Sequence, residues 1–146
     1  MESSEPARVL IVANRTAATP GLIDAVRRRA AGGPCTFTLL VPHAAHGIHR
    51  LTGADATQTD IEESEAVLEL ALPLLEEAAA RDVEGLTAYA EPLTAIEDAV
   101  NLRGYDEIIL STLPARVSRW LKLDLPSKVK GLGLPVTHVE AVTREG

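Results

Sequence analysis

Short apolar runs rich in Val, Ile and Leu alternate with longer segments whose apolar residues recur at helical spacing. VLIVA (Val9 to Ala13) is the first, and its β-branched character predicts a buried strand. Thr19 and Pro20 then supply an N-cap and a first-turn proline for a helix that Gly32 and Gly33 end. TFTLLV (Thr36 to Val41) predicts a second strand, closed by Pro42, and the polar, small-residue stretch from His43 to Gln58 predicts a loop. Thr59 and Glu62 have the spacing of a capping box. Beyond them Val67, Leu68, Ala71, Leu75 and Ala78 form one apolar stripe, and Pro73 is expected to kink that helix because it cannot donate to the Glu69 carbonyl. Gly85 to Tyr89 predicts a weaker third strand, and Pro92 opens a third helix stopped near Gly104. EIIL (Glu107 to Leu110) predicts a fourth strand, a short helix follows, and PVTHVEAV (Pro135 to Val142) predicts a fifth strand.

Strands that alternate with helices long enough to cross over imply an α/β fold, with a parallel sheet covered on both faces. A length of 146 residues suits one such domain, taken as 8–146 after a short tail, 1–7. In open sheets of this kind ligands lie beyond the carboxyl ends of the strands, where the winding direction reverses. That places the candidate site at Asn14, Arg15 and Thr16 after the first strand, together with the loop Ser111 to Leu123 after the fourth.

Composition narrows the function. Aromatic residues are only 3% of the chain, so the core is built from aliphatic side chains and no aromatic stacking surface is expected. A net charge of −7 argues against nucleic acid as a partner. Its distribution is uneven: Asp55 to Glu107 holds 15 acidic and 2 basic residues, whereas from Ile108 to Lys130 five basic residues face only Asp124. The second stretch is either a local anion-attracting patch or a solvated face. Lone Cys35 forms no internal disulfide, the opening MESSEPAR lacks the order of a secretion signal, and no apolar run suits a bilayer. A cytoplasmic protein without a membrane partner is expected.

DEIILST (Asp106 to Thr112) and SRWLKLDLPSKVKGLGLPVTHV (Ser118 to Val139), with the order of elements, give the chain a resemblance to the universal stress protein family. The resemblance spans Arg8 to about Glu140. It implies strand order 3-2-1-4-5, a homodimer paired through the last strand (Pro135 to Val142), and a stress-response or regulatory role; because the sequence has no nucleophile elbow, P-loop or paired Cys/His arrangement, no catalysis is expected. Nucleotide-binding members carry a loop G-x-x-G, roughly nine residues, then G-[ST], whose glycine amides approach phosphate oxygens. Here Ser111 and Pro114 stand at the first two glycines; matching SRWLKLD, with a one-residue gap near Arg116, puts Leu123 at the third and Asp124 at the hydroxyl position. Proline has no N–H to offer. Asp124, ahead of Leu125 and Pro126, is expected to cap the same helix amides that phosphate would use. Standard ATP binding is therefore disfavoured and no cofactor is required.

The alternative is a nucleotide (ATP or AMP) or other small anion held by side chains: Ser111, Thr112, Arg116 and Arg119, the arginines being residues whose guanidinium forks suit phosphate. The arginines equally suit a surface or dimer contact. Asn14 stands where the family often has an acidic ribose or metal contact, and Val41 where its backbone meets adenine, although a valine there is equally a core residue. His43, His46 and His49 are spaced by three but lack a completing carboxylate or cysteine, so they read as a surface loop. Cys35 reads as a small buried residue and His138 as an edge-strand contact. A small phosphoryl- or nucleotidyl-transfer enzyme is the remaining alternative, and no base or nucleophile near the fourth strand supports it.

Overall fold

The computed structural model describes residues 6–14, 16–42, 54–88, 91–114 and 118–141, with side chains from residue 62 onward in the long second helix. Five strands form one sheet: β1 (Ala7–Val12), β2 (Cys35–Pro42), β3 (Val83–Ala88), β4 (Glu107–Thr112) and β5 (Val136–Glu140). Their order is β3-β2-β1-β4-β5 and every pair is parallel, as the resemblance implied. The helices are α1 (Pro20–Ala31), α2 (Ala54–Ala79), α3 (Pro92–Arg103), α4 (Arg119–Lys122) and α5 (Leu125–Lys130).

Strand alternation splits the core in two. Val9 and Ile11 of β1 join Phe37, Leu39 and Val41 of β2 beneath Leu22 and Val26 of α1 and Ala71 and Leu75 of α2. Leu10 and Val12 face the other way, against Ile108 and Leu110 of β4, Ile96 of α3, and Leu125 and Val129 of α5. Both faces are thus covered, which is why the strands read as continuous apolar runs. Gly85 lets β3 lie close under α2: a Cβ there would stand 2.9 Å from Leu72 Cδ1 and 3.1 Å from Leu68 Cδ2. Among the described residues no helix is long and apolar enough to cross a membrane.

Several expectations need correction. α2 begins at Ala54, so Thr59 lies inside the helix and opens no capping box, and the end of the predicted loop is helical. Ala54 and Ala56 favour helix, and the polar residues between them and the apolar stripe do not interrupt it. The helix also runs on through Pro73, which is on its exposed side, so the Glu69 carbonyl that loses a donor faces water. Thr19 is at the N-cap of α1, but its hydroxyl donates to the Thr16 carbonyl at 2.8 Å and makes no cap bond. β3 starts two residues before Gly85, because Val83 pairs with Phe37 in the core. The single short helix expected after β4 is two, since Pro126 cannot donate to a carbonyl one turn back and the chain restarts at Leu125. His43, His46, His49, Tyr89 and Val142 lie outside the described residues.

Candidate functional site

β1 leads outward to β2 and β3 on one side, and β4 leads to β5 on the other, so the winding reverses between β1 and β4. At their carboxyl ends the polar groups are tied to one another. The Asn14 side-chain Nδ2 donates to the Pro42 carbonyl at 2.8 Å, fastening the end of β1 to the end of β2. Thr16 Oγ1 and Ser111 Oγ share a hydrogen bond of 2.6 Å, and both residues are buried. Ser111 and Thr112 are the last two residues of β4 itself, longer than the EIIL run suggested. The Thr112 hydroxyl pairs with His138 Nε2 of β5 at 2.9 Å. Both hydroxyls that end β4 therefore have protein partners. Thr16 completes this cluster, and only its neighbourhood, not its pairing, was visible in the sequence.

Val41 is fully enclosed in the core on the α1–α2 face, and its backbone is registered with Thr87 of β3. Arg116 lies outside the described residues. Arg119 is the first residue of α4 and is exposed; the helix is capped by buried Ser118, whose Oγ accepts from the Leu121 amide at 3.1 Å.

Asp124 departs from expectation in an informative way. It is the N-cap of α5, but its carboxylate makes no cap hydrogen bond; the residue takes a left-handed backbone with φ 60° and ψ 38° and its side chain is exposed. Leu123, expected at the third glycine, has an ordinary φ of −88°. The glycine-favouring conformation falls one residue later, at Asp124. An aspartate here combines the left-handed turn of a glycine with a negative charge.

Beside this turn is a cleft of about 250 Å³ on the α3 side of the sheet, lined by Pro92, Leu93, Trp120, Leu123 and Leu125, with Glu91, Thr94 and Lys128 as its polar residues. Trp120 comes from α4 and Leu123 from the turn after it; the start of α3 and α5 supply the rest of the wall. The only signal in the sequence was a leucine, Leu123, between two charged residues, Lys122 and Asp124.

No family model matches the chain, and no curated protein sequence matches it. Solved structures do. A universal stress protein in complex with cAMP is 15% identical, superposes with a TM-score of 0.66, and is covered over 100% of its length by 95% of this chain. The universal stress protein from Archaeoglobus fulgidus is 14% identical with a TM-score of 0.62, over 91% of this chain and 93% of its own. A universal stress protein family protein from Arabidopsis thaliana with AMP bound is 16% identical with a TM-score of 0.62, over 94% of each chain. Sheet order, helix placement and near-complete mutual coverage agree: this chain has the universal stress protein fold.

Proposed function

We propose that the protein is a universal-stress-type regulatory module, without catalysis of its own, that does not seat a triphosphate on a glycine loop. Asp124 carries this reading. At the left-handed turn where a glycine amide would meet phosphate, it presents an exposed carboxylate, and Pro114 removes a second amide. Because the carboxylate does not occupy the α5 amides, its effect is electrostatic. Two unit charges about 4 Å apart in water repel by about 1 kcal/mol, close to fivefold in affinity. The Thr16–Ser111 and Thr112–His138 pairs support the same reading, since they commit the nearby hydroxyls to the protein.

The module is proposed to act as a homodimer paired along β5, an edge strand of the sheet with half-buried Val136 and Val139. A second reading, a side-chain site for a nucleoside monophosphate, draws on the cAMP and AMP held by two of the similar structures. It requires Ser111 and Thr112 to exchange their present partners for the ligand, with Arg116 and Arg119 as its cations.

Thermal-shift titration with magnesium-ATP, AMP, cAMP and inorganic phosphate separates these readings. A ligand at a hundred times its Kd adds about 2.7 kcal/mol of stability. The proposal expects no such gain from magnesium-ATP. A gain of that size with ATP, unchanged by Asp124→Ser, refutes it; a gain with AMP or cAMP alone selects the second reading.

A further inference from the structure

Among the described residues four large apolar side chains are strongly exposed: Leu70 at 65%, Leu74 at 38%, Leu102 at 83% and Leu123 at 44%. Three of them belong to two surfaces of complementary character. Leu70 and Leu74 are four apart and share one face of α2, beside exposed Pro73. That helix has eight acidic residues and no basic one in 26 positions, and Glu63, Glu69 and Glu77 are exposed alongside the leucines. Leu123 is at the rim of the Trp120 cleft, whose walls are Pro92, Leu93 and Leu125, with Glu91 and Thr94 on the α3 side. Lys128 stands in that wall, and Lys122 and Lys130 are exposed nearby in the same α4–α5 segment, with Asp124 as its one acidic residue.

We infer that the Trp120 cleft is a docking site for α2 of a second copy of this chain, with Leu70 and Leu74 entering the cleft and the lysines facing the α2 glutamates. An acidic surface with protruding leucines matches an apolar recess whose α4–α5 rim is basic, Lys122, Lys128 and Lys130 outnumbering Glu91 and Asp124. The two surfaces are on opposite sides of the sheet, α2 over the Val9–Ile11 face and α5 over the Leu10–Val12 face. A chain therefore cannot fill its own cleft. The contact is heterologous and passes from copy to copy, unlike a two-fold pairing along β5. It does not depend on nucleotide binding or on the β5 dimer.

The test uses two full-length variants, each lacking one surface. Leu70→Ala with Leu74→Ala keeps the cleft and loses the leucines; Leu123→Glu with Trp120→Phe keeps α2 and spoils the cleft. Trp120 is the chain's only tryptophan, so in a mixture all indole fluorescence comes from the cleft-bearing variant. Any β5-paired dimer forms equally in both, and the quantity read is what mixing adds. Wild-type protein is expected to grow in mass with concentration by sedimentation velocity, and neither variant alone to grow beyond its dilute mass. Mixing them is expected to raise the mass above that of either variant alone and to shift the Trp120 emission saturably. Raising salt from about 0.05 to about 0.5 M, which shortens electrostatic screening to about 4 Å, is expected to weaken that binding at least fivefold. Circular dichroism on each variant verifies that it is folded. A wild-type mass independent of concentration overturns the inference in favour of a different acidic partner for the cleft. A mixture with unchanged emission, or growth by either variant alone, overturns it equally.

Discussion

Asp124 offers a test in which two similar substitutions have different consequences. Its φ of 60° lies in the left-handed region, and its carboxylate makes no cap hydrogen bond, so replacing the side chain removes no cap. Alanine at such a position pays roughly 1–2 kcal/mol for its Cβ, whereas aspartate pays less. Asp124→Ala is thus expected to lose about 1 kcal/mol of stability. Glycine adopts the same backbone freely, but returns about 0.5–1 kcal/mol through the entropy of its unfolded chain. Asp124→Gly should consequently stay within about 0.5 kcal/mol of wild type. For a chain of this length a loss of 1 kcal/mol lowers Tm by about 2–5 °C, within reach of differential scanning calorimetry, with urea melts as a check. In the same two proteins the negative charge is gone, so phosphate or ATP should bind about fivefold more tightly to Asp124→Gly than to wild type. Equal stability of the alanine and glycine variants would refute the backbone argument. Unchanged anion affinity in Asp124→Gly would refute the electrostatic one, and with it the proposal that the Asp124 carboxylate disfavours a triphosphate.

Two further expectations concern packing around the site and under it. The buried Thr16–Ser111 pair should show coupling in urea melts: Thr16→Val or Ser111→Ala alone strands a hydroxyl at about 1–3 kcal/mol, while the double variant costs clearly less than their sum. Strictly additive losses would mean that the two hydroxyls do not depend on each other. Gly85→Ala should lose about 1 kcal/mol, because its new Cβ meets the terminal methyls of Leu72 and Leu68, and the loss should shrink in a Leu72→Ala background. A loss of the same size in both backgrounds would place the strain elsewhere.

The α/β class and the number of strands were legible because the central strands β1, β2 and β4 are largely buried and leave uninterrupted apolar runs, whereas the order of the strands followed only from the family resemblance. Proline and glycine marked helix ends at Pro20, Pro92 and Gly104, since their effects are local to the backbone. Where an outcome depended on neighbours distant in the chain, the sequence said less. Nothing near Thr16 indicates that its hydroxyl meets Ser111, 95 residues away, and nothing near Val83 says that Phe37 draws it into β3. The left-handed turn at Asp124 was not legible because its position follows from how α4 ends and α5 restarts around Pro126. Leu123 and Trp120 likewise acquire a shared cleft only when α3 and α5 pack on one face of the sheet. The sequence by itself determined the apolar pattern, the charge asymmetry and the helix ends marked by proline and glycine, which are properties of residues and their near neighbours. Tertiary structure alone decided which hydroxyls are paired, where the cleft opens and which leucines stay exposed, because those depend on surfaces brought together only when the sheet is formed and covered.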